Sequence, residues 1–144
     1  MRILPALALL LSLVLPSAAR ADSSADTETA AHAYALEVPM ELKLKAGETK
    51  ALRIAVVPNA GSHVSPEAPV SLKANAATSF ELPRAKLSRE DSKATAAQGI
   101  EFALPVLGKT KGQSELAATL SFYICVANLC AHQKRELNIH VQVE

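Results

Sequence analysis

Apolar residues recur at every second position through several short stretches, and turn-forming residues punctuate the gaps between them at regular intervals. Those two observations predict an all-β chain. Seven or eight strands in about 110 residues fit an antiparallel β-sandwich of immunoglobulin-like type. The stretches are taken in chain order. Leu36, Val38, Met40, Leu42 and Leu44 alternate, as do Leu52, Ile54 and Val56, then Val70 with Leu72, then Phe80 with Leu82. Ile100, Phe102, Leu104 and Val106 form the next strand. Leu116, Ala118, Leu120, Phe122, Ile124 and Val126 form another, and Leu137, Ile139, Val141 and Val143 the last. One face of each is expected to be buried.

The turns lie at Lys45-Ala46-Gly47, Pro58-Asn59-Ala60-Gly61, Ala97-Gln98-Gly99 and between Gly108 and Gly112. Pro39, Pro83 and Pro105 lack the N–H that a ladder needs, so each is expected at a strand end, a bulge or an edge. Leu87 to Gln98 is the one long polar connection, expected as a loop or a single helical turn.

The whole chain has 144 residues, with two cysteines and no tryptophan. Residues 1–21 read as a secretory signal peptide: Arg2 follows the initiator, Ile3 to Leu15 is apolar, and Ala19-Arg20-Ala21 offers small residues at the cleavage positions. Cleavage is expected after Ala21, giving a periplasmic or secreted product with no membrane association. The apolar run is broken by Pro5 and Pro16 and is shorter than the roughly 20 residues of a spanning helix. Removing Arg2 and Arg20 from the 15 basic residues leaves 13 against 14 acidic ones, a balance that gives no reason to expect nucleic acid as a partner. Residues 22–34 are small, polar and acidic and read as a flexible leader, so the sandwich domain is expected over 35–144. A monomer is expected.

The chemistry-bearing segment is Phe122-Tyr123-Ile124-Cys125, then Cys130-Ala131-His132. Even positions of the strand before Cys125 face the core, which turns Ser121, Tyr123 and Cys125 outward. In the closing strand Leu137, Ile139 and Val141 are the buried set, so Cys130 and His132 face outward too. Pairing 125 with 130 also sets Ala118 opposite Leu137 and Leu116 opposite Ile139. That register places the cysteines side by side, within the Cα separation of about 4.4 to 6.8 Å of a disulfide. It also turns Gln133 and Arg135 inward, and a bulge or late strand start near Lys134 is expected to relieve this.

Closing so short a loop stabilises by about 2 kcal/mol in the chain-entropy model, less than a bridge between distant segments would. Three readings stay open: a passive bridge, a pair that exchanges, and a soft metal site. For exchange, His132 would lie two residues beyond Cys130 on the same face, where an imidazolium favours a thiolate, with Tyr123 as a second modulator. A metal site would draw on Cys125, Cys130 and His132 with His63 or His140, but C-x4-C-x-H is not an established spacing. Glu90 and Asp91 read as solvated loop residues. No G-x-S-x-G elbow and no phosphate loop occurs. Lys109, Lys111, Lys134 and Arg135 read as solubilising charges at one end of the molecule.

The order Gly61-Ser62-His63-Val64-Ser65-Pro66, the strand from Val70, the strand Ile100 to Val106, the strand into Cys125 and a strand after Cys130 resembles a known family. It is that of the N-terminal immunoglobulin-like periplasmic domain of the thiol:disulfide interchange protein DsbD and related secreted bacterial domains. The resemblance spans about Leu36 to Glu144. It implies that Cys125 and Cys130 form a disulfide that passes electrons to or from a thioredoxin-like partner, without any cofactor, the second cysteine being the one that attacks the partner. The reaction class would be thiol:disulfide interchange. The rival is a non-catalytic binding or scaffold sandwich with a purely structural bridge. The chain departs from the family in three respects. Four residues separate its cysteines rather than five, no aromatic residue follows Gly61 or caps the bridge from Leu87 to Gln98, and the membrane-embedded and thioredoxin-like portions are absent from the sequence.

Overall fold

The alternating stretches become strands that close over one another as two sheets. The computed structural model describes residues 28–144. The signal-peptide segment and the first part of the leader lie outside the described residues. A helical turn at residues 28–31 comes first and packs Ala30 against the core.

Eleven strands follow in chain order: β1 (Tyr34–Glu37), β2 (Glu41–Leu44), β3 (Thr49–Pro58), β4 (Ser62–Val64), β5 (Ser71–Asn75), β6 (Phe80–Glu81), β7 (Lys86–Ser88), β8 (Lys93–Ala94), β9 (Ile100–Gly108), β10 (Gly112–Val126) and β11 (Leu129–Val143). The first sheet runs β1-β3-β9, with β6 and β8 both pairing with β9. The second runs β2-β11-β10-β5-β7, with β4 also on β10. All pairings are antiparallel except β2 with β11. The fold is an immunoglobulin-like β-sandwich, as expected. The additional strands are pieces of two to four residues, too short to show a period.

The inner faces meet in one core in which Leu52, Ile54, Phe80, Phe102, Leu104, Leu116, Leu120 and Phe122 are fully buried. Burial strictly alternates from Leu116 to Ile124, which is the period-two pattern of a strand with one wet face.

The alternation of Leu36 to Leu44 spans two strands instead of one. β1 pairs with β3 in the first sheet and β2 with β11 in the second, so the chain changes sheets at Val38-Pro39-Met40. Met40, expected to be buried, is instead 82% exposed at that crossing. Pro39 sits at this break, where its missing N–H leaves no gap in a ladder.

Pro105 lies mid-strand, opposite Ala51 of β3. Gly108 donates its N–H to Glu48 O at 2.9 Å, so even positions of β9 point their amides toward β3. The nitrogen of Pro105 therefore faces the other edge, in the interval between the stretches paired with β8 and β6. A missing donor costs nothing there.

Leu87 to Gln98 is more regular than a loop. It contains the end of β7, a 3-10 turn at Arg89–Asp91, and β8, which pairs with the start of β9. Lys109 and Lys111 lie beside Gly112, which pairs with Val143, whereas Lys134 and Arg135 lie beyond the middle of the hairpin toward its tip. The four basic residues do not share one end.

Candidate functional site: the disulfide at the β10–β11 hairpin tip

β10 and β11 pair without interruption from Gly112 opposite Val143 to Val126 opposite Leu129. The bulge expected near Lys134 does not occur. Gln133 does turn inward and is 6% exposed, but its amide oxygen accepts from Tyr34 Oη at 3.1 Å and its amide nitrogen donates to His132 O at 3.0 Å. Arg135 stays exposed, its guanidinium carbon 5.6 Å from the centre of the Tyr34 ring. Tyr34, reaching over from β1, supplies the partner that removes the need for a bulge.

The regular register brings Cys125 opposite Cys130, and the two are joined in a disulfide with Cα atoms 4.0 Å apart. That is closer than the expected range, and the ladder explains it. The Ser65 N–H donates to Tyr123 O, and the His140 N–H donates to Met40 O. These backbone groups thus point away from the hairpin partner. Residues 125 and 130 share their parity and form a non-hydrogen-bonded rung, where antiparallel strands approach most closely.

The turn has only two residues, Ala127 and Asn128, and Ala127 adopts a φ of 53°. Positive φ at a two-residue hairpin turn matches the twist of the strands and is normally supplied by glycine, asparagine or aspartate.

The two cysteines are unequally exposed. Cys125 is 3% exposed, although it lies on the outer face, because β4 flanks it on the side away from β11. Cys130 is exposed. His63 is the residue of β4 opposite Cys125, while Val64 and Ile124 form the adjacent inward pair.

Tyr123 and His132 occupy the next rung, with ring centroids 5.0 Å apart. His132 Nε2 is 2.6 Å from Ser121 Oγ, so the imidazole leans toward the rung beyond Tyr123 and away from the bridge. His140 lies far along the hairpin, 3.8 Å from Glu115. Asp91 accepts from the Ser88 N–H at 2.9 Å and pairs with Arg84 at 2.6 Å. First that backbone bond and then the Arg84 interaction hold its carboxyl below the usual carboxylate range.

Among the described residues no three His, Cys, Asp or Glu side chains gather as a metal site. With the bridge closed, neither sulfur is a free thiolate. The sequence offered His63 only as one possible ligand beside the cysteines, and its strand pairing with Cys125 was not visible, because a three-residue strand carries no period. The only signal was Gly61, whose φ of 83° starts β4.

Fold and site together define an immunoglobulin-like β-sandwich with a cross-strand disulfide on the outer face of its longest hairpin. No family model and no curated protein matches the chain. Among solved structures it is similar to murine CRIg at 8% identity and a TM-score of 0.42, covering 77% of this chain and 98% of that one. It is similar to AggA, the major subunit of aggregative adherence fimbriae type I from Escherichia coli, at 12% identity and a TM-score of 0.43, covering 77% and 94%. A third is trypsin-activated alpha-2-macroglobulin from Escherichia coli, at 17% identity and a TM-score of 0.42, covering 75% of this chain and 7% of that one. No helix among the described residues is long and apolar enough to cross a membrane.

Proposed function

We propose that this chain is a periplasmic or secreted thiol:disulfide exchange domain, related to the N-terminal domain of DsbD, whose Cys125–Cys130 bridge trades electrons with a thioredoxin-fold partner. The observation that carries the reading is the unequal exposure of the two cysteine residues. An incoming thiolate reaches Cys130 Sγ, the S–S bond breaks, and the electron pair passes to Cys125 Sγ. A second thiolate of the partner then attacks the partner's sulfur in the mixed disulfide and releases Cys130 as a thiolate. The partner dithiol is oxidised and the pair reduced by two electrons. The reverse sequence uses Cys130 as the attacking thiol and Cys125 as the resolving one. A disulfide also suits an oxidising compartment.

The reduction potential of the mature domain tests this. A value near about −200 mV marks a poised pair, and one well below about −300 mV marks a structural bridge. Cys125→Ser should trap a thioredoxin-fold partner on Cys130 as a mixed disulfide.

The rival reading is a binding or scaffold sandwich whose bridge only fixes the hairpin. The positive φ of Ala127 favours it, since a bridge one residue from each end of the turn helps hold a conformation that alanine disfavours. Under that reading Cys125→Ser lowers stability and captures nothing.

A further inference from the structure

We infer that His63 is the proton source for Cys125 Sγ when the bridge opens. The inference rests on the exchange reading above.

A nearly buried sulfur is a poor leaving group as a thiolate, because desolvation disfavours its charge. Breaking the bridge by attack on Cys130 puts an electron pair on such a sulfur. It must be protonated or neutralised locally.

His63 is directly opposite Cys125 on the neighbouring strand and on the same outer face, next to the inward pair Val64 and Ile124. It is half-buried and borders a cavity of about 530 Å3 that it shares with Asn59, Ser62, Ala97 and Gln98, so it can exchange protons with solvent. His132, the other imidazole near the bridge, is engaged with Ser121 Oγ one rung further away.

The remaining groups do not compete. Tyr123 is the ionisable neighbour on β10, and its ring packs against His132 across the rung next to the bridge. The 59–61 turn, the end of β3 at Val56–Pro58 and the 95–98 segment bring no ionisable side chain to His63. After β4, Glu67 is exposed, and Arg89 is spent on the carbonyls of Ser65 and Ala68.

The step balances as written. The thiolate of an external dithiol attacks Cys130 Sγ, the S–S bond breaks toward Cys125, and the His63 imidazolium gives its proton to Cys125 Sγ. The neutral imidazole is reprotonated from water. The second sulfur of the dithiol then completes the two-electron reduction.

The test is the rate of reduction of the intact mature domain by dithiothreitol from pH 5 to 9, corrected for the thiolate fraction of the reagent. In the wild type the corrected rate should fall with rising pH and show an inflection that belongs to the imidazole proton donor. His63→Gln should abolish that inflection and slow reduction at the acid end by about tenfold or more. His63→Asn provides a second variant, and His132→Gln should keep the wild-type inflection.

An unchanged inflection in both His63 variants, or its loss in His132→Gln alone, overturns the inference and leaves the exchange reading standing. A wild-type bridge that resists millimolar dithiothreitol under native conditions overturns both.

Discussion

Tyr34 Oη donates a hydrogen bond to Gln133 Oε1 at 3.1 Å across the sandwich, joining the first strand of one sheet to the last strand of the other. The same ring meets Phe122 edge-on, with centroids 4.9 Å apart, and carries the Arg135 guanidinium over its face. One aromatic residue thereby satisfies the buried Gln133 amide and seats the exposed Arg135 guanidinium on its face. The hairpin stays regular up to its disulfide.

That arrangement makes Gln133 dependent on Tyr34. In Tyr34→Phe the buried amide oxygen loses its partner, at a cost of about 1 to 3 kcal/mol. Pairing the change with Gln133→Leu removes both ends, and the double variant should lose less than the two single losses combined. Urea unfolding of the four proteins measures this coupling. Strict additivity would show that the hydrogen bond contributes nothing.

Alkaline pH should expose the same residue. Burial raises the Tyr34 phenol above its ordinary value, and the charge of Arg135 offsets only part of this. A raised folded value means that the neutral phenol is favoured in the native state. Its stabilisation is complete below the unfolded tyrosine value of about 10, and it is lost as pH rises through the higher folded value. Thermal melts from pH 8 to 12 should show a decline in the wild type that Tyr34→Phe reduces. Identical pH slopes would contradict the burial argument.

The long strands and the cysteine register were legible in the sequence because period two and a buried face constrain each other. Ala118 opposite Leu137 and Cys125 opposite Cys130 follow from one choice of register, and the structure has both. What was not legible depends on contacts distant in sequence. The regular ladder at Gln133 requires Tyr34, 99 residues away. The change of sheet at Pro39 leaves the apolar alternation unbroken, so Met40 looked like a core residue. β4, β6 and β8 are held by the edges of β9 and β10 more than by any pattern of their own, which hid the pairing of His63 with Cys125.

Gly99 is a position where backbone proximity, not backbone conformation, requires glycine. A Cβ there would run into the carbonyl oxygen of Val56 and the ring of Pro58, both at the end of β3. Gly99 also closes the turn at residues 95–99, donating to Thr95 Oγ1 at 3.0 Å and accepting from the Thr95 N–H at 3.1 Å. Gly99→Ala should therefore separate β9 from β3 locally and cost about 2 kcal/mol or more. A urea midpoint within error of the wild type would show that the strands can part without loss.

The hairpin turn offers a graded test of strain beside the disulfide. Ala127 has a φ of 53°, a region that costs an L-residue with a Cβ roughly 1 to 2 kcal/mol, and a β-branched residue more. Ala127→Gly relieves that cost while adding flexibility to the unfolded chain worth about 0.4 to 1 kcal/mol. The bridge limits the second effect by tethering residues 125 and 130 in the unfolded state. Glycine should therefore equal or exceed alanine in the oxidised protein, and Ala127→Val should fall below both by about 1 kcal/mol or more. In a Cys125→Ala/Cys130→Ala background, already weakened by about 2 kcal/mol, the advantage of glycine should shrink because the unfolded loop regains its freedom. Thermal melts of the six proteins decide it. Equal stabilities at position 127 in the oxidised set would mean that the turn relaxes out of the left-handed conformation at no cost.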